Sequence, residues 1–162
     1  MIKVGKFALR ETYLRMVANT PGSKMFRSSF FQTSVTRGAG KMEGVHDLCQ
    51  GGRLSCAFFV SSILKIFDLT KMLHVTVRGL ENDLQNSGWF VIHNNDRRPV
   101  VGAVVVWEPQ VHRDGEAHTH VGFLMDGYAV SNHPKGDKII RHDPTFGETR
   151  AIVRAYFHEK LM

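Results

Sequence analysis

The stretch that decides the fold is residues 54–64, which read LSCAFFVSSIL. Ser55 is a favourable N-cap and places Cys56 in the first turn of the predicted helix. Phe59 and Ile63 follow at helical spacing and predict one buried face. Because a helix N-terminus presents unpaired N–H groups and a partial positive charge, it lowers the pKa of a thiol placed there. The sequence therefore predicts a cysteine in a position suited to nucleophilic chemistry.

Upstream of this helix we expect one short helix and a long loop. Apolar residues share one helical face between Leu9 and Val17, and Pro21-Gly22 ends that helix. Residues 33–53 are rich in glycine and short polar residues. This composition predicts a surface loop that leads into the cysteine.

Downstream, the sequence predicts one more helix and then a change from the helical hydrophobic period to that of strands. A further helix is expected around Val77–Leu84, stopped at residues 86–88. The run 99–107 is β-branched and predicts a central strand buried on both faces. Shorter strands are expected at 119–125, 128–132, 138–142 and 151–157, with a hairpin turn at Asp126-Gly127. Helices followed by an antiparallel sheet predict an α+β fold.

A histidine on the predicted 119–125 strand is the candidate base for Cys56. The period of two puts His120 on the same face as Gly122, whose missing side chain would let the cysteine helix approach. A two-residue turn would place His133 opposite His120, whereas a three-residue loop or a bulge would place Asn132 there. Both side chains can orient an imidazole, so the sequence leaves the choice open.

Composition predicts one globular unit without nucleic-acid or membrane-spanning segments. The chain has 162 residues, 43% hydrophobic and 22% charged, with a formal net charge of +6. We expect a single domain over 1–162, with an N-terminal helical and loop segment at 1–53 and a catalytic core at 54–157. The scattered basic residues form no stripe, so no nucleic-acid partner is expected. No apolar run is long enough to span a bilayer, and the N-terminus lacks the apolar core of a signal peptide, so a cytoplasmic location as synthesised is expected.

Both cysteines are expected to be free thiols. Cys49 and Cys56 are seven residues apart, and a bridge between them would sit on the predicted helix start. Two cysteines in a chain of this length do not form a disulfide framework. No metal or other cofactor is expected, and nothing in the sequence indicates an oligomeric state.

Four short motifs in order resemble the NlpC-like cell-wall peptidases, a group of the papain-like superfamily that also contains the CHAP amidases. These motifs are SCAFFV at 55–60, GAVVVW at 102–107, HTHVGF at 118–123 and AVSN at 129–132. They correspond to the cysteine helix, a glycine-led apolar strand, the histidine strand and the third polar position of that group. The resemblance covers residues 54–157.

The resemblance implies a papain-like fold and a cysteine peptidase or amidase. It assigns Cys56 as nucleophile, His120 as general base and acid, and Asn132 as the orienting residue, with His133 as the alternative. The implied substrate is a peptide or amide of the bacterial cell wall. The candidate substrate-binding residues are Ser55, Trp89 and Trp107. One departure is Ser55, because the residue before the cysteine is commonly aspartate in the cell-wall enzymes.

Three other classes of function fit parts of the same sequence. The catalytic constellation would also serve an acyltransferase or a deconjugating thiol enzyme, because it does not specify which carbonyl it attacks. His118 and His120, with His133 and a cysteine, could form a tetrahedral zinc site. In a non-catalytic binding module, Trp89 and Trp107 would form a stacking surface for a sugar or peptide.

Overall fold

The computed structural model describes residues 7–37, 40–93, 100–111, 115–133 and 136–162. It contains the helices α1 (Leu9–Ala18), α2 (Cys56–Ile66) and α3 (Val77–Asn86). The strands are β1 (Phe30–Arg37), β2 (Gly40–Asp47), β3 (Trp89–His93), β4 (Val104–Val111), β5 (Ala117–Leu124), β6 (Ala129–Asn132), β7 (Ile139–His142) and β8 (Ile152–His158). Short 3₁₀ helices cover Gln50–Gly52 and Glu159–Leu161. The α+β class predicted from the sequence is confirmed.

Six strands form one antiparallel sheet, and the other two form a separate hairpin. The strand order in the large sheet is β3-β8-β4-β5-β6-β7, so the last strand of the chain lies between β3 and β4. In the hairpin, β1 pairs with β2 from Phe30 opposite Asp47 to Arg37 opposite Gly40. The central strand β4 is buried on both faces from Val104 to Trp107, as its continuous β-branched run predicts.

The two faces of the sheet carry different cores. The larger core lies between the sheet and the helices, where Phe59 of α2 meets Phe123 of β5 edge to face with centroids 5.4 Å apart. Tyr13 of α1 makes a similar contact with Phe123 at 5.9 Å. The smaller core, on the opposite face, is built around Trp107 and Leu124. Because side chains alternate along a strand, neighbouring residues of β5 serve different cores.

Two sequence predictions in the first half and the centre of the chain need correction. The loop expected over 33–53 contains most of the β1–β2 hairpin, in which paired backbone groups satisfy hydrogen bonds that an exposed loop leaves to water. The strand expected over 99–107 begins only at Val104, because Gly102 turns the chain with φ +91°. Pro99, its expected start, lies outside the described residues. β3 at Trp89–His93 was not predicted at all.

The predicted hairpin at Asp126-Gly127 is confirmed. Phe123 pairs with Val130 and Leu124 with Ala129, and Met125 N–H donates to the Tyr128 carbonyl at 2.7 Å. This is the register of a two-residue turn, and Gly127 has the positive φ (+75°) that such turns favour. Within the residues that the structure describes, no helix is both long and apolar enough to cross a bilayer.

Candidate active site

Cys56 is the first residue of α2, and a tight loop holds it there. The Leu54 N–H donates to the Cys49 carbonyl at 3.0 Å, and the Ser55 N–H donates to the Gly52 carbonyl at 3.2 Å. The Ser55 hydroxyl also donates to the Gly52 carbonyl, at 2.8 Å, instead of accepting from a helix N–H. Ser55 therefore stands at the predicted N-cap position but makes no side-chain cap, and with 2% exposure it has little surface to offer a substrate.

Burial controls the acidity of the Cys56 thiol. Desolvation raises the pKa of Cys56, against the lowering predicted from the helix start. The backbone N–H groups of Val121 and Ala57 and the positive charge of Arg150 act in the opposite direction and offset only part of the rise. Burial therefore favours the neutral thiol of Cys56 over its thiolate.

Cys56 and His120 line the same cleft, whose volume is about 460 Å³. The start of α2 and the start of β5 form two of its walls, and the N-terminal end of α3 at Thr76–Arg78 forms a third. Phe146 and Arg150, from the segment between β7 and β8, complete it. Cys56 and His120 come from separate elements and both line this cleft, and their pairing as nucleophile and base stays a prediction.

His120 is held on the face of the sheet that carries the smaller core. It lies opposite Trp107 in the β4–β5 register, and the two rings tilt against each other with centroids 5.3 Å apart. Its Nε2 lies 2.9 Å from Oγ of Ser131 on β6. The same Ser131 Oγ lies 2.9 Å from Nε2 of His142 on β7, and Nδ1 of His142 lies 2.7 Å from the Asp143 carbonyl oxygen.

With His142 neutral, one arrangement of protons satisfies this chain of hydrogen bonds, in which the Ser131 hydroxyl donates to His142 at 2.9 Å and not to the Asn132 carbonyl at 3.3 Å. A carbonyl oxygen only accepts, so Nδ1 of His142 carries the proton and donates to Asp143. Burial lowers the pKa of His142, which favours its neutral form and leaves Nε2 as an acceptor for the Ser131 hydroxyl. Ser131 then accepts from Nε2–H of His120. In neutral His120, Nδ1 is therefore the basic nitrogen.

The structure places Ser131, rather than Asn132 or His133, against Nε2 of His120. Asn132 belongs to the other face of β6, where its Nδ2 donates to the Gly52 carbonyl at 3.1 Å. His133 has the register expected for a two-residue turn, but β5 and β6 pair only at Phe123 and Leu124, so the strands have separated before this point. Nδ1 of His133 lies 3.4 Å from the Asp137 carboxylate.

Ser131 was not among the predicted site residues, although the register of the β5–β6 hairpin could have indicated it. With paired positions summing to 253, as Phe123 and Val130 do, Ser131 is opposite Gly122 and diagonal to His120 on the same face. Only the directly opposite position was considered. His142 lies opposite Ala129 in the β6–β7 register and completes the set.

The missing side chain of Gly122 does not serve the approach of the cysteine helix, as the sequence predicted it would. A Cβ atom there would lie 2.6 Å from the Val130 carbonyl oxygen, 2.8 Å from Cβ of Ser131 and 3.1 Å from the Trp107 ring. The missing side chain therefore makes room for β6 and the indole behind His120, not for the cysteine helix.

The two tryptophans are core residues rather than a binding surface. Trp89 is 5% exposed, and its indole N–H donates to the Leu69 carbonyl at 2.8 Å. Trp107 has no exposed surface, and its N–H donates to the Pro144 carbonyl at 2.7 Å. Neither ring is available to stack on a ligand. Among the described residues, no three His, Cys, Asp or Glu side chains are grouped so that they could hold a metal ion.

The chain was compared with protein-family models and with curated proteins, and neither comparison found a match.

Proposed function

We propose that this protein is a cysteine-dependent amide hydrolase that acts through an acyl-enzyme on Cys56. The observation that carries the proposal is that Cys56, at the first residue of a helix, lines the same cleft as His120. Nε2 of His120 is hydrogen-bonded to the Ser131 hydroxyl. Nucleophile, base and orienting group are the three parts that thiol hydrolases require.

The proposed acylation begins with proton transfer from the Cys56 thiol to Nδ1 of His120. The sulfur attacks the amide carbonyl carbon, and the negative charge moves to the carbonyl oxygen. The first-turn N–H groups of Cys56 and Ala57 lie at the sulfur and would stabilise that oxyanion. When the tetrahedral intermediate collapses, the C–N bond breaks and His120 returns its proton to the leaving amine. Water, deprotonated by His120, then attacks the thioester and releases the acid.

The raised pKa of Cys56 favours this general-base route over a preformed ion pair. A thiol that is neutral at rest keeps no charge in the buried site between turnovers. His120 is suited to take the proton because its Nε2–H is already committed to Ser131, which leaves Nδ1 as the acceptor.

The finer assignments of fold and substrate also belong to the proposal. The order of cysteine helix, histidine strand and third polar position supports a papain-like fold of the NlpC-like type, with Ser131 taking the third position. By the same resemblance, the proposed substrate is a peptide amide of the cell wall. Acyl transfer by the same residues is the alternative outcome.

A generic acyl donor tests the proposal without knowledge of the substrate. With p-nitrophenyl acetate, we expect a burst of p-nitrophenolate and an acetyl group on tryptic peptide 54–65. Trypsin separates this peptide from Cys49 by cutting after Arg53. His120→Ala should slow acetylation by about 10²-fold or more, the usual size of a general-base contribution.

Matched variants complete this test. Cys56→Ala should retain the fold, because alanine is well tolerated in a helix, and should show no burst. Cys49→Ser serves as the control and should acetylate Cys56 at the wild-type rate. The proposal is wrong if Cys56 is not acetylated, or if His120→Ala acetylates as fast as wild type.

A further inference from the structure

We propose that the cleft binds an anionic substrate, with Arg150 receiving a carboxylate next to the scissile amide and Asn132 accepting a hydrogen bond from substrate N–H. This inference rests on the proposed function, because it names the substrate class of the same site. It is carried by a buried cation and an unpaired buried acceptor, both in the wall of the cleft that holds Cys56.

Among the residues that the structure describes, no carboxylate pairs with the buried guanidinium of Arg150. The residue is 7% exposed, its Nε donates to the Glu108 carbonyl oxygen and its Nη2 donates to the His118 carbonyl oxygen, each at 2.7 Å. Within the described residues its Nη1 makes no hydrogen bond, and no carboxylate lies within ion-pair distance. Burying an uncompensated charge is costly, so a guanidinium held in this way indicates that an anion completes the site.

The lining of the cleft has one sign of charge. It includes three arginines, at positions 53, 78 and 150, and no Asp or Glu among the described lining residues. Arg53 and Arg78 are exposed at the rim, whereas Arg150 is the buried member. A concave surface with this lining attracts anions by its field, in agreement with the formal net charge of +6.

Neither Glu108 nor Glu116, two acids within the described residues, forms an ion pair with Arg150. Glu108 exerts an electrostatic effect on it, but its Oε1 accepts from the Ala151 N–H at 3.1 Å and it does not line the cleft. Glu116 is 78% exposed, with Oε2 4.0 Å from Nε2 of His118. Burial lowers the pKa of Arg150, and the electrostatic effects of Cys56 and Glu108 offset only part of this lowering.

Asn132 supplies the second contact. The residue is 4% exposed and lines the cleft, and its Nδ2 donates a hydrogen bond to the Gly52 carbonyl. Its Oδ1 is buried and has no hydrogen-bond partner. Because buried acceptors are almost always paired, this oxygen marks the place of a donor that arrives with the ligand. An amide N–H is the donor that a peptide-like substrate brings.

Two alkylating reagents of nearly equal size test the anion site at Cys56 directly. Iodoacetate carries a carboxylate and iodoacetamide a neutral amide, and both report on the same sulfur in tryptic peptide 54–65. We expect the iodoacetate-to-iodoacetamide rate ratio at Cys56 to exceed that of 2-mercaptoethanol in the same buffer. Arg150→Gln should lower this ratio by about tenfold or more, the scale of one hydrogen bond to a charged group, and Arg150→Lys should retain part of it.

The matched control is Arg15→Gln, which removes the same charge from an exposed position on α1, outside the cleft. Its ratio should remain that of wild type. The inference is overturned if wild type shows no preference over 2-mercaptoethanol, or if Arg15→Gln and Arg150→Gln lower the ratio equally.

A measurement on wild type alone covers the case in which Arg150→Gln fails to fold. N-acetylglycine carries a carboxylate and an amide N–H, and N-acetylglycinamide is its neutral counterpart. We expect only N-acetylglycine to protect Cys56 from iodoacetamide, with protection lost at high salt. Equal protection by both compounds, or by neither, contradicts the anion site. Because these experiments report binding and not hydrolysis, they can fail while the acetyl-enzyme forms, or succeed while it does not.

Discussion

At the scale of single residues, Ser131 influences which ring nitrogen of His120, the proposed base, carries the proton. A hydroxyl can both donate and accept, so the direction of the Ser131–His120 hydrogen bond depends on the second partner of Ser131, which is His142. His142 is in turn fixed by the Asp143 carbonyl and by stacking on Phe146, with centroids 3.9 Å apart. His142, which lies two strands away from His120, thus helps to set which ring nitrogen of His120 carries the proton.

The tautomer of His120 can be measured. In wild type, imidazole ¹⁵N chemical shifts should show neutral His120 protonated at Nε2. Ser131→Ala removes the acceptor from Nε2 and should raise the population of the Nδ1–H form, with slower acetylation of Cys56. His142→Phe should shift the tautomer in the same direction while keeping the ring stack on Phe146.

If His142 had only a structural role, its substitution would leave the imidazole ¹⁵N chemical shifts of His120 unchanged. His142→Gln offers an acceptor again and should restore part of the Nε2–H population. Finding His120 protonated at Nδ1 in wild type, or an unchanged tautomer in both Ser131→Ala and His142→Phe, would exclude the relay.

At the scale of secondary-structure elements, Asp83 joins helix α3 to the segment that follows α2. It is 7% exposed and accepts from the backbone N–H groups of Lys71 and Met72 and from the Ser87 hydroxyl. Its Oδ2 lies 2.7 Å from Nε2 of His74. α3 carries Thr76–Arg78 at its N-terminal end, so this network also positions one wall of the cleft.

Acid stability should depend on Asp83. These hydrogen bonds, His74 first among them, outweigh desolvation and lower the pKa of Asp83 from 3.8 to about 2. Because the folded-state pKa lies below the unfolded one, the stabilisation is complete above about pH 4 and is lost as the pH falls through 2. The shift corresponds to about 2 kcal/mol in the free energy of unfolding at neutral pH.

Urea unfolding of Asp83→Asn against pH measures this contribution. We expect the variant to be less stable by about 2 kcal/mol at pH 7, with the difference from wild type narrowing between about pH 4 and pH 2. Asp68→Asn is the control, because the Asp68 side chain is 92% exposed and should have little effect. A difference for Asp83→Asn that stays constant across this range would contradict the assignment.

At the scale of the whole molecule, the last strand is an internal strand of the sheet. β8 pairs with β3 on one side and with β4 on the other, and it carries Ala155 and Tyr156 into the two cores. Arg154 of β8 is also paired with Glu81 of α3 at 2.6 Å. The sheet therefore cannot be completed without residues 152–158.

Truncation tests this dependence. A chain ending at Ala151 leaves β3 unpaired and exposes an edge of β4, so we expect it to lose cooperative urea unfolding. A chain that lacks only Met162, which is 69% exposed, should unfold with the wild-type midpoint and slope. Cooperative unfolding of the shorter chain with the wild-type slope would show that β8 is dispensable.

The sequence by itself determined the elements with strong periodicity and the two residues of the proposed chemistry. The apolar stripe after Cys56 gave α2, and the Asp-Gly turn gave the β5–β6 register. Hydrophobic period and turn chemistry are local properties, so they can be read along the chain. The β1–β2 hairpin was missed because glycine and polar residues interrupt its strand pattern, whereas β3 consists mostly of aromatic and β-branched residues and was predictable from its sequence.

Only the tertiary structure decided how the site is completed. Ser131 and His142 meet His120 through the pairing of three strands, and Arg150 reaches the cleft from a turn thirty residues beyond His120 in the chain. The direction of the Cys56 pKa shift was likewise set by burial, which overrides the local effect of the helix start. Burial and the contacts of His142 and Arg150 depend on residues distant in sequence, and no local pattern encodes them.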